Sequence, residues 1–341
     1  MAKTILGIDI GHDQLKLALV RGGRVLKTAM AQMPENLLRQ GRITSVESMG
    51  ELIRNTMKQN GIRANLAALA LPNETVYVKN VDVPPMTVEQ LEYNLPFEFK
   101  DYITGELKDY VFDYAVLSRP GESKSGEEAA DGGEAEEATL ELMAVGTLRA
   151  VLEDARDALR KAGLKLVKCA PALSAYIALL RAQQGKLSAE SEEYGVLDLG
   201  YSAIRMYMFK QDRHVATRVL ETGLFTLDDV IAEAYGVDVH LARTYLTSNF
   251  ENCQDREECR TAYENIAVEL MRVLNFYRFS NPDSALGDLW LCGGGAVIQP
   301  LTEAIGDMLN VQLHPAAELV PGGEGIEACN GMAQAIGIAM S

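Results

Sequence analysis

The chain has 341 residues, which is enough for two domains with substantial cores. Its formal net charge of −16 argues against a nucleic-acid surface and against electrostatic attachment to anionic lipid. A hydrophobic fraction of 48% predicts a soluble globular protein, and we find neither a signal peptide nor an apolar run that would span a bilayer. Five cysteines without framework spacing indicate free thiols in a reducing compartment.

An aspartate interrupts the apolar strand near the start of the chain. Residues 3–20 predict a strand, a tight turn at Gly11 and a second strand with alternating leucines. A buried carboxylate is costly unless it meets a cation or hydrogen-bond donors, so Asp9 needs a partner. Taken alone, Asp9 is most simply explained as a turn-capping residue at the end of a hairpin.

The same pattern recurs in the second half of the chain. Residues 195–219 align without a gap on the start of the chain, so that Asp9 corresponds to Asp198 and Gly11 to Gly200. Each copy predicts three meandering strands, and the repetition predicts two similar halves. If the two hairpins face each other across a cleft, their turns present backbone N–H groups to phosphates while the carboxylates hold a divalent cation through its waters.

The region between the two copies predicts alternating strands and helices. Thr87 and Gln90 have the spacing of a capping box, and the helix that they begin should be kinked or split by Pro96. The predicted strands are 24–31, 66–71, 75–83, 111–117, 139–145 and 164–169, the predicted helices are 46–57, 147–162 and 171–183, and 35–44 is predicted as a loop or short helix.

Residues 119–138 differ in composition from the rest of the chain. They hold seven acidic residues, two basic ones and five glycines or prolines, with no aliphatic side chain larger than alanine. Such a segment buries too little apolar surface to offset the entropy of ordering it, so we predict a mobile acidic loop inserted in a hairpin. A solvated linker is the simpler interpretation, and an interaction motif is the alternative.

After the second copy, the sequence predicts helices over 227–235, 240–248 and 260–279. An apolar strand then runs straight into Gly293, Gly294 and Gly295, and helices over 298–309 and 331–339 follow. A strand, a glycine turn and a helix together often seat a phosphate or the flat face of a nucleotide, although many such turns bind nothing. Cys253 and Cys259 have no histidine nearby in the sequence. Two positions on a helix explain this pair more simply than a metal-binding site does.

In their order, these features resemble the actin-like ATPase superfamily, which includes actin, the Hsp70 chaperones, sugar kinases, FtsA and PilM. Within it the chain is most similar to the PilM family of type IV pilus assembly proteins. The resemblance rests on GIDIG at 7–11, Lys16, ALP at 70–72, VPPMT at 83–87, FDY at 112–114, GL at 163–164, LDLG at 197–200, LNFY at 274–277 and CGGGA at 292–296.

The resemblance implies a duplicated α/β fold of the actin-like, ribonuclease H-like type, with two halves around a nucleotide cleft. A small α+β subdomain would be inserted in the first half. We expect the first core at 1–84 with 167–187 and 327–341, the inserted subdomain at 85–166, and the second half at 188–326.

The resemblance also implies a site for ATP and Mg²⁺. Asp9 and Asp198 would hold the waters of the metal ion, and Lys16 would offset the charge of the phosphates. The predicted nucleotide-binding residues are Asp9, Gly11, His12, Lys16, Asp198, Gly200, Tyr201, Ser202, Gly293, Gly294 and Gly295.

One departure from the family bears on the cofactor. The family usually has small hydroxyl residues directly after the first glycine, where this chain has His12 and Asp13. At about 4 Å and an effective dielectric constant near ~20, two unit negative charges repel by roughly 4 kcal/mol. Asp13 would therefore oppose a polyphosphate unless it points away or aids the metal, and we expect at most weak ATP hydrolysis.

By resemblance, the chain is a cytoplasmic scaffold held at the inner face of the membrane through a partner, without direct membrane insertion. That partner would be the N-terminal cytoplasmic peptide of a PilN-like membrane protein, received near the predicted helix 88–99. A pilus ATPase complex is a further partner. The alternatives are an FtsA-like division protein, disfavoured because the sequence lacks a basic amphipathic tail after the closing helix, and a sugar-kinase-type enzyme, disfavoured because no catalytic base and sugar site stand out.

Overall fold

A computed structural model describes residues 2–118, 139–183, 187, 193–211, 213–323 and 328–341. The predicted acidic loop 119–138 lies outside these residues. The strands are β1 Thr4–Ile10, β2 Gln14–Arg21, β3 Arg24–Gln32, β4 Leu38–Arg39, β5 Arg42–Ile43, β6 Leu66–Leu71, β7 Val76–Val83, β8 Tyr110–Ser118, β9 Leu140–Leu148, β10 Lys165–Pro171, β11 Glu193–Leu199, β12 Ile204–Lys210, β13 Arg213–Leu220, β14 Asp288–Cys292 and β15 Gln312–Pro315. The helices are α1 Val46–Gln59, α2 Val88–Asn94, α3 Arg149–Lys161, α4 Ala172–Ala182, α5 Phe225–Tyr235, α6 Val239–Ser248, α7 Glu257–Ser280, α8 Gln299–Leu309, α9 Ala328–Gly331 and α10 Ala333–Met340.

Two five-stranded sheets share one topology. Their strand orders are β10-β6-β1-β2-β3 and β15-β14-β11-β12-β13. In each sheet three strands form an antiparallel meander. The other two strands, β6 and β10 or β14 and β15, run parallel to the first strand of that meander. The bounds of β1 and β11 coincide under the alignment made from the sequence. This confirms the predicted duplication into two similar halves.

A third, three-stranded sheet has the order β7-β9-β8 and carries α2. The capping box at α2 is present, since Thr87 Oγ1 accepts from the Gln90 N–H and Gln90 Oε1 accepts from the Thr87 N–H. Pro96 does end α2, and a 3-10 helix over Leu95–Phe99 continues the chain. The sheet begins with β7, before the predicted boundary at residue 85, and α3 packs against α1 of the first half. The domain boundaries remain predictions.

Local differences from the sequence-based expectations have simple causes. The segment 35–44 contains the small hairpin β4-β5, and Thr147 belongs to β9 because it pairs with Val76. Cys253 lies in a 3-10 helix and Cys259 in α7, so one helix does not carry both. The four-residue strand β15 was not predicted. All five cysteines are free, and none of the described helices combines the length and apolar character that crossing a bilayer requires.

Helix α10 packs against β1 and β2 of the first half, and α4 packs on α10, in both cases through small residues. A Cβ atom added at Gly7 of β1 would lie 1.7 Å from the Ala335 carbonyl oxygen, and one at Gly337 would lie 2.3 Å from the Ala175 carbonyl oxygen. Residues of both sheets and both helices form one apolar cluster, which includes Val20, Tyr207 and Ile336. This shared core fixes the two halves against each other.

A half-buried histidine, His214, lies where the small sheet meets the second half, and its titration gives a testable consequence. His214 Nε2 contacts Thr217 Oγ1 at 2.8 Å, and Nδ1 has no hydrogen-bond partner among the described residues. Burial lowers the pKa of His214 from 6.5 to about 4. Since the unfolded chain binds this proton more tightly, the free energy of unfolding should fall as pH drops from 6.5 towards 4, by at most about 3 kcal/mol.

Urea denaturation at a series of pH values between 4 and 7 measures this contribution when the wild-type chain is compared with His214→Gln. Glutamine keeps a polar contact to Thr217 and has no titrating ring, so the variant should lose less stability on acidification. Equal losses in both proteins would contradict the assignment.

Candidate functional site

A cleft of about 660 Å³ lies between the two halves where the first strand of each meander ends. Asp9 and Asp198 sit at equivalent positions there, and both line the cleft. Each is paired across its hairpin with a cation: Asp9 is opposite Lys16, and Asp198 is opposite Arg205. The duplication thus brings two carboxylates and two cations together at one place.

The electrostatic setting of Asp9 depends on burial and on these neighbours. Burial raises the pKa of Asp9, Lys16 lowers it, and the negative charge of Asp198 raises it again. The Lys16 Nζ lies 3.7 Å from Asp9 Oδ2, with side chains 14% and 13% exposed. A carboxyl group whose pKa is raised by burial beside a second carboxylate gains from a divalent cation that neutralises both.

Asp198 is held in place by the side chain of Gln334 and by a glycine. Gln334 of α10 donates through Nε2 to Asp198 Oδ2 at 2.8 Å and to the Tyr176 hydroxyl at 2.9 Å. Gly293, with a φ of 86°, runs so close that a Cβ atom there would lie 2.6 Å from Asp198 Oδ1. Only glycine combines that conformation with that approach. Asp198 is therefore fixed in orientation before any ligand arrives.

A second pair of contacts joins the halves beside the carboxylates. Arg205 Nη2 of β12 donates to Glu74 Oε1 at 2.7 Å, with side chains 11% and 30% exposed. The Tyr207 hydroxyl donates to Asn73 Oδ1 at 3.2 Å. Asn73 and Glu74 follow β6 of the first half, so these contacts cross from one half to the other. Arg205 is thus engaged by a carboxylate of the first half.

Asp13 lines the same cleft, but its carboxylate is paired. Oδ1 accepts from Gln32 Nε2 at 2.6 Å and from Arg243 Nη1 of α6 at 2.9 Å. The bare negative charge expected from the sequence is therefore balanced by a guanidinium from the other half. Arg243 in turn donates through Nε to Asp228 Oδ2 at 2.9 Å.

The cleft brings together all the predicted nucleotide-binding residues except Gly293 and Gly295. Gly293 packs on Asp198, and Gly295 is buried against Leu199 and Leu224. Of the three glycines, only Gly294 faces the cleft. The other two permit close packing beneath it.

The sequence did not single out Glu74, Arg205 and Gln334, which line the cleft. Nor did it single out Asp228 and Arg243, which contact the lining residues Tyr201 and Asp13. Arg205 alone carried a usable signal, since it aligns with Lys16 in the repeat. The others come from segments with no counterpart in the repeated pattern, so only their position in the fold identifies them.

The donor set fits a magnesium nucleotide. Mg²⁺ is usually held by one or two carboxylates, several waters and the phosphates of its ligand, rather than by an all-protein cage. Asp9 and Asp198 would supply the carboxylates, and Lys16 would supply a cation for the phosphates. The described residues include no group of three or more metal-binding side chains that could hold a metal ion by themselves. The arrangement suits a metal that arrives with its nucleotide.

Two halves of one topology, joined around a cleft with paired carboxylates, define an actin-like fold. A family model described as type IV pilus assembly protein PilM matches residues 7–318. The chain therefore belongs to the PilM family.

Two solved structures show the same fold. The PilM-PilN type IV pilus biogenesis complex matches at 24% identity with a TM-score of 0.80, covering 98% of this chain and 97% of that chain. The ethanolamine utilization protein EutJ from Carboxydothermus hydrogenoformans matches at 17% identity with a TM-score of 0.59, covering 100% of this chain and 89% of that chain. A comparison with curated proteins found no match.

Proposed function

We propose that this chain is a cytoplasmic scaffold of type IV pilus assembly that binds the N-terminal cytoplasmic tail of a PilN-like inner-membrane protein. Membership of the PilM family is the observation that carries this proposal. A solved PilM-PilN complex with the same fold over almost the whole of both chains supports it. The partner would hold the scaffold at the inner face of the membrane. Contact with a pilus ATPase complex stays a further prediction.

The same proposal places Mg²⁺ and ATP in the cleft. Asp9 and Asp198 would hold the waters of the metal, and Lys16 would contact the phosphates. The turns at Gly11 and Gly200 would bring backbone N–H groups towards the phosphates. His12, Tyr201, Ser202 and Gly294 line the remaining wall. When bound, the Mg²⁺ ion would supply the positive charge that the paired carboxylates need.

A groove beside the small sheet is the best receiving surface for the partner tail. It runs between the small sheet, the first half and the second half. Tyr77 and Tyr110 from the small sheet line it with ring centroids 6.2 Å apart, and Val151, Arg42 and Phe225 face them. A concave surface with aromatic anchors and a few charges suits an extended peptide.

The face of α2 and the 3-10 helix after it is the alternative surface. Its side chains Tyr93 and Phe97 are 73% and 55% exposed, and their ring centroids lie 5.9 Å apart. This is the segment that the sequence singled out. These two rings are exposed, whereas Tyr77 and Tyr110 in the groove are half-buried and buried.

Replacing Tyr77 with serine should weaken binding of the partner tail about tenfold, because an aromatic anchor in a groove carries much of the binding energy. The measurement is fluorescence anisotropy with a labelled synthetic peptide of the first residues of the PilN-like protein from the same source. Tyr93→Ser is the matched control on the alternative surface and should leave the affinity unchanged.

The opposite pattern, with Tyr93→Ser weakening binding and Tyr77→Ser leaving it intact, would move the site to α2. If the wild-type chain and both variants all fail to bind the peptide, the proposed partner is wrong. Circular dichroism of each variant checks that the fold is retained.

A further inference from the structure

Arg243 of α6 reaches from the second half to the first across the cleft. Its Nη1 donates to Asp13 Oδ1 at 2.9 Å, while its Nε donates to Asp228 Oδ2 at 2.9 Å. Its guanidinium also lies 4.0 Å from the ring centroid of Tyr201 and donates to that hydroxyl. One side chain therefore ties a predicted phosphate-facing turn of the first half to two residues of the second.

The two ends of this tie are not equivalent. Asp228 and Tyr201 belong to the same half as Arg243, and Asp228 is only 2% exposed. They hold the guanidinium in place without help from the first half. Asp13 is the sole acidic contact of Arg243 from the first half within the described residues, and Gln32 orients it. Breaking the Asp13 contact would free α6 from the turn at residues 11–13 of the first half while leaving Arg243 in position.

The pair is sheltered enough to matter energetically. Side chains of Arg243 and Asp13 are 20% and 18% exposed, so solvent screens their attraction less than on an open surface. By contrast, Glu35 and His240, which also join the two halves, are 69% and 59% exposed. Exposed ion pairs contribute little. The Asp13 contact is thus the stronger of the two ties between α6 and the first half.

We propose that the Asp13–Arg243 ion pair is a latch that holds α6 of the second half to the turn at residues 11–13 of the first half without nucleotide, and that the phosphate chain of a bound nucleotide competes with Asp13 for Arg243. The competition rests on the proposed binding of a nucleotide in this cleft. Asp13 sits in the turn between Gly11 and Lys16, where the phosphates are expected. A guanidinium matches phosphate oxygens geometrically, and a polyphosphate carries more negative charge than one carboxylate.

Two substitutions separate the latch from an ordinary structural ion pair. Asp13→Asn removes the charge and keeps a group of similar shape beside Gln32, so it should raise the affinity for Mg²⁺–ATP about tenfold. Arg243→Gln removes the guanidinium that the phosphates would gain, so it should lower that affinity. A pair that only supports the fold would shift both affinities in the same direction. Isothermal titration calorimetry with Mg²⁺–ATP measures both.

Hydrogen exchange of the nucleotide-free proteins tests the latch independently of any ligand. Both variants should increase amide exchange in α6 and in residues 11–14 several-fold. Glu35→Gln, which removes the exposed pair between the same two halves, is the matched control and should change neither exchange nor affinity.

Unchanged exchange in Asp13→Asn would overturn the latch, and an unchanged or weaker affinity of this variant for Mg²⁺–ATP would overturn the competition. If neither the wild-type chain nor Asp13→Asn binds Mg²⁺–ATP, both the competition and the proposed nucleotide are wrong. The exchange experiment then still decides whether the ion pair holds α6 to the turn at residues 11–13.

Discussion

Replacing Gly7 with alanine is expected to lower the free energy of unfolding by about 3 kcal/mol or more. The new Cβ atom would lie 1.7 Å from the Ala335 carbonyl oxygen and 3.0 Å from the Ala339 Cβ atom. The obstructing oxygen belongs to the backbone of α10 and cannot rotate away as a side chain would. Relief requires α10 to move off β1, which also disturbs the core shared by both halves.

Urea denaturation of the purified protein measures this loss. Gly331→Ala is the matched control, because among the described residues no atom lies within 4 Å of the added Cβ. Removing a glycine from α9 should leave stability unchanged or raise it by up to about 1 kcal/mol. If Gly7→Ala were as stable as the wild-type chain, α10 could not pack on β1 as described.

The second large effect is expected in the cleft, where Asp9→Asn should weaken the binding of Mg²⁺–ATP about 10- to 100-fold. An asparagine keeps the shape of the side chain but loses the negative charge that holds the metal's waters. It also leaves Lys16, whose ammonium lies 3.7 Å from Asp9 Oδ2, without its carboxylate partner. The effect should be confined to the metal complex.

Isothermal titration calorimetry with Mg²⁺–ATP, and with ATP in the presence of a chelator, separates the metal from the nucleotide. Asp113→Asn, an exposed substitution on β8 of the small sheet, is the matched control and should bind like the wild-type chain. An Asp9→Asn variant with undiminished affinity for Mg²⁺–ATP would refute the role of Asp9 at the metal. An equal loss with and without Mg²⁺ would show that Asp9 acts through Lys16 instead.

Local signals in the sequence were enough to predict most elements of the fold. The alternation of apolar residues located β1, β2, β11 and β12, and the capping box located the start of α2. Such signals act within a few residues, so tertiary context seldom overrides them. The short strand β15 and the hairpin β4-β5 were missed because two to four residues carry too little pattern.

The candidate site was only partly predictable, for a related reason. Asp9 and Asp198 could be found because the hairpin that carries them occurs twice in the sequence. Each also stands out as a charge in an apolar strand. Gln334 and Arg243 gave no such signal. Gln334 is 136 residues from Asp198, and Arg243 is 230 residues from Asp13.

The sequence by itself determined that two hairpins, each ending in a carboxylate and a glycine turn, occur in one chain, because strand periodicity and turn chemistry are local properties. Only the tertiary structure decided which side chains contact the carboxylates of the cleft. Arg205 contacts Glu74, Gln334 contacts Asp198 and Arg243 contacts Asp13. These pairs depend on how the two halves pack around α4 and α10. Residue spacing along the chain does not encode the distance between side chains that this packing brings together.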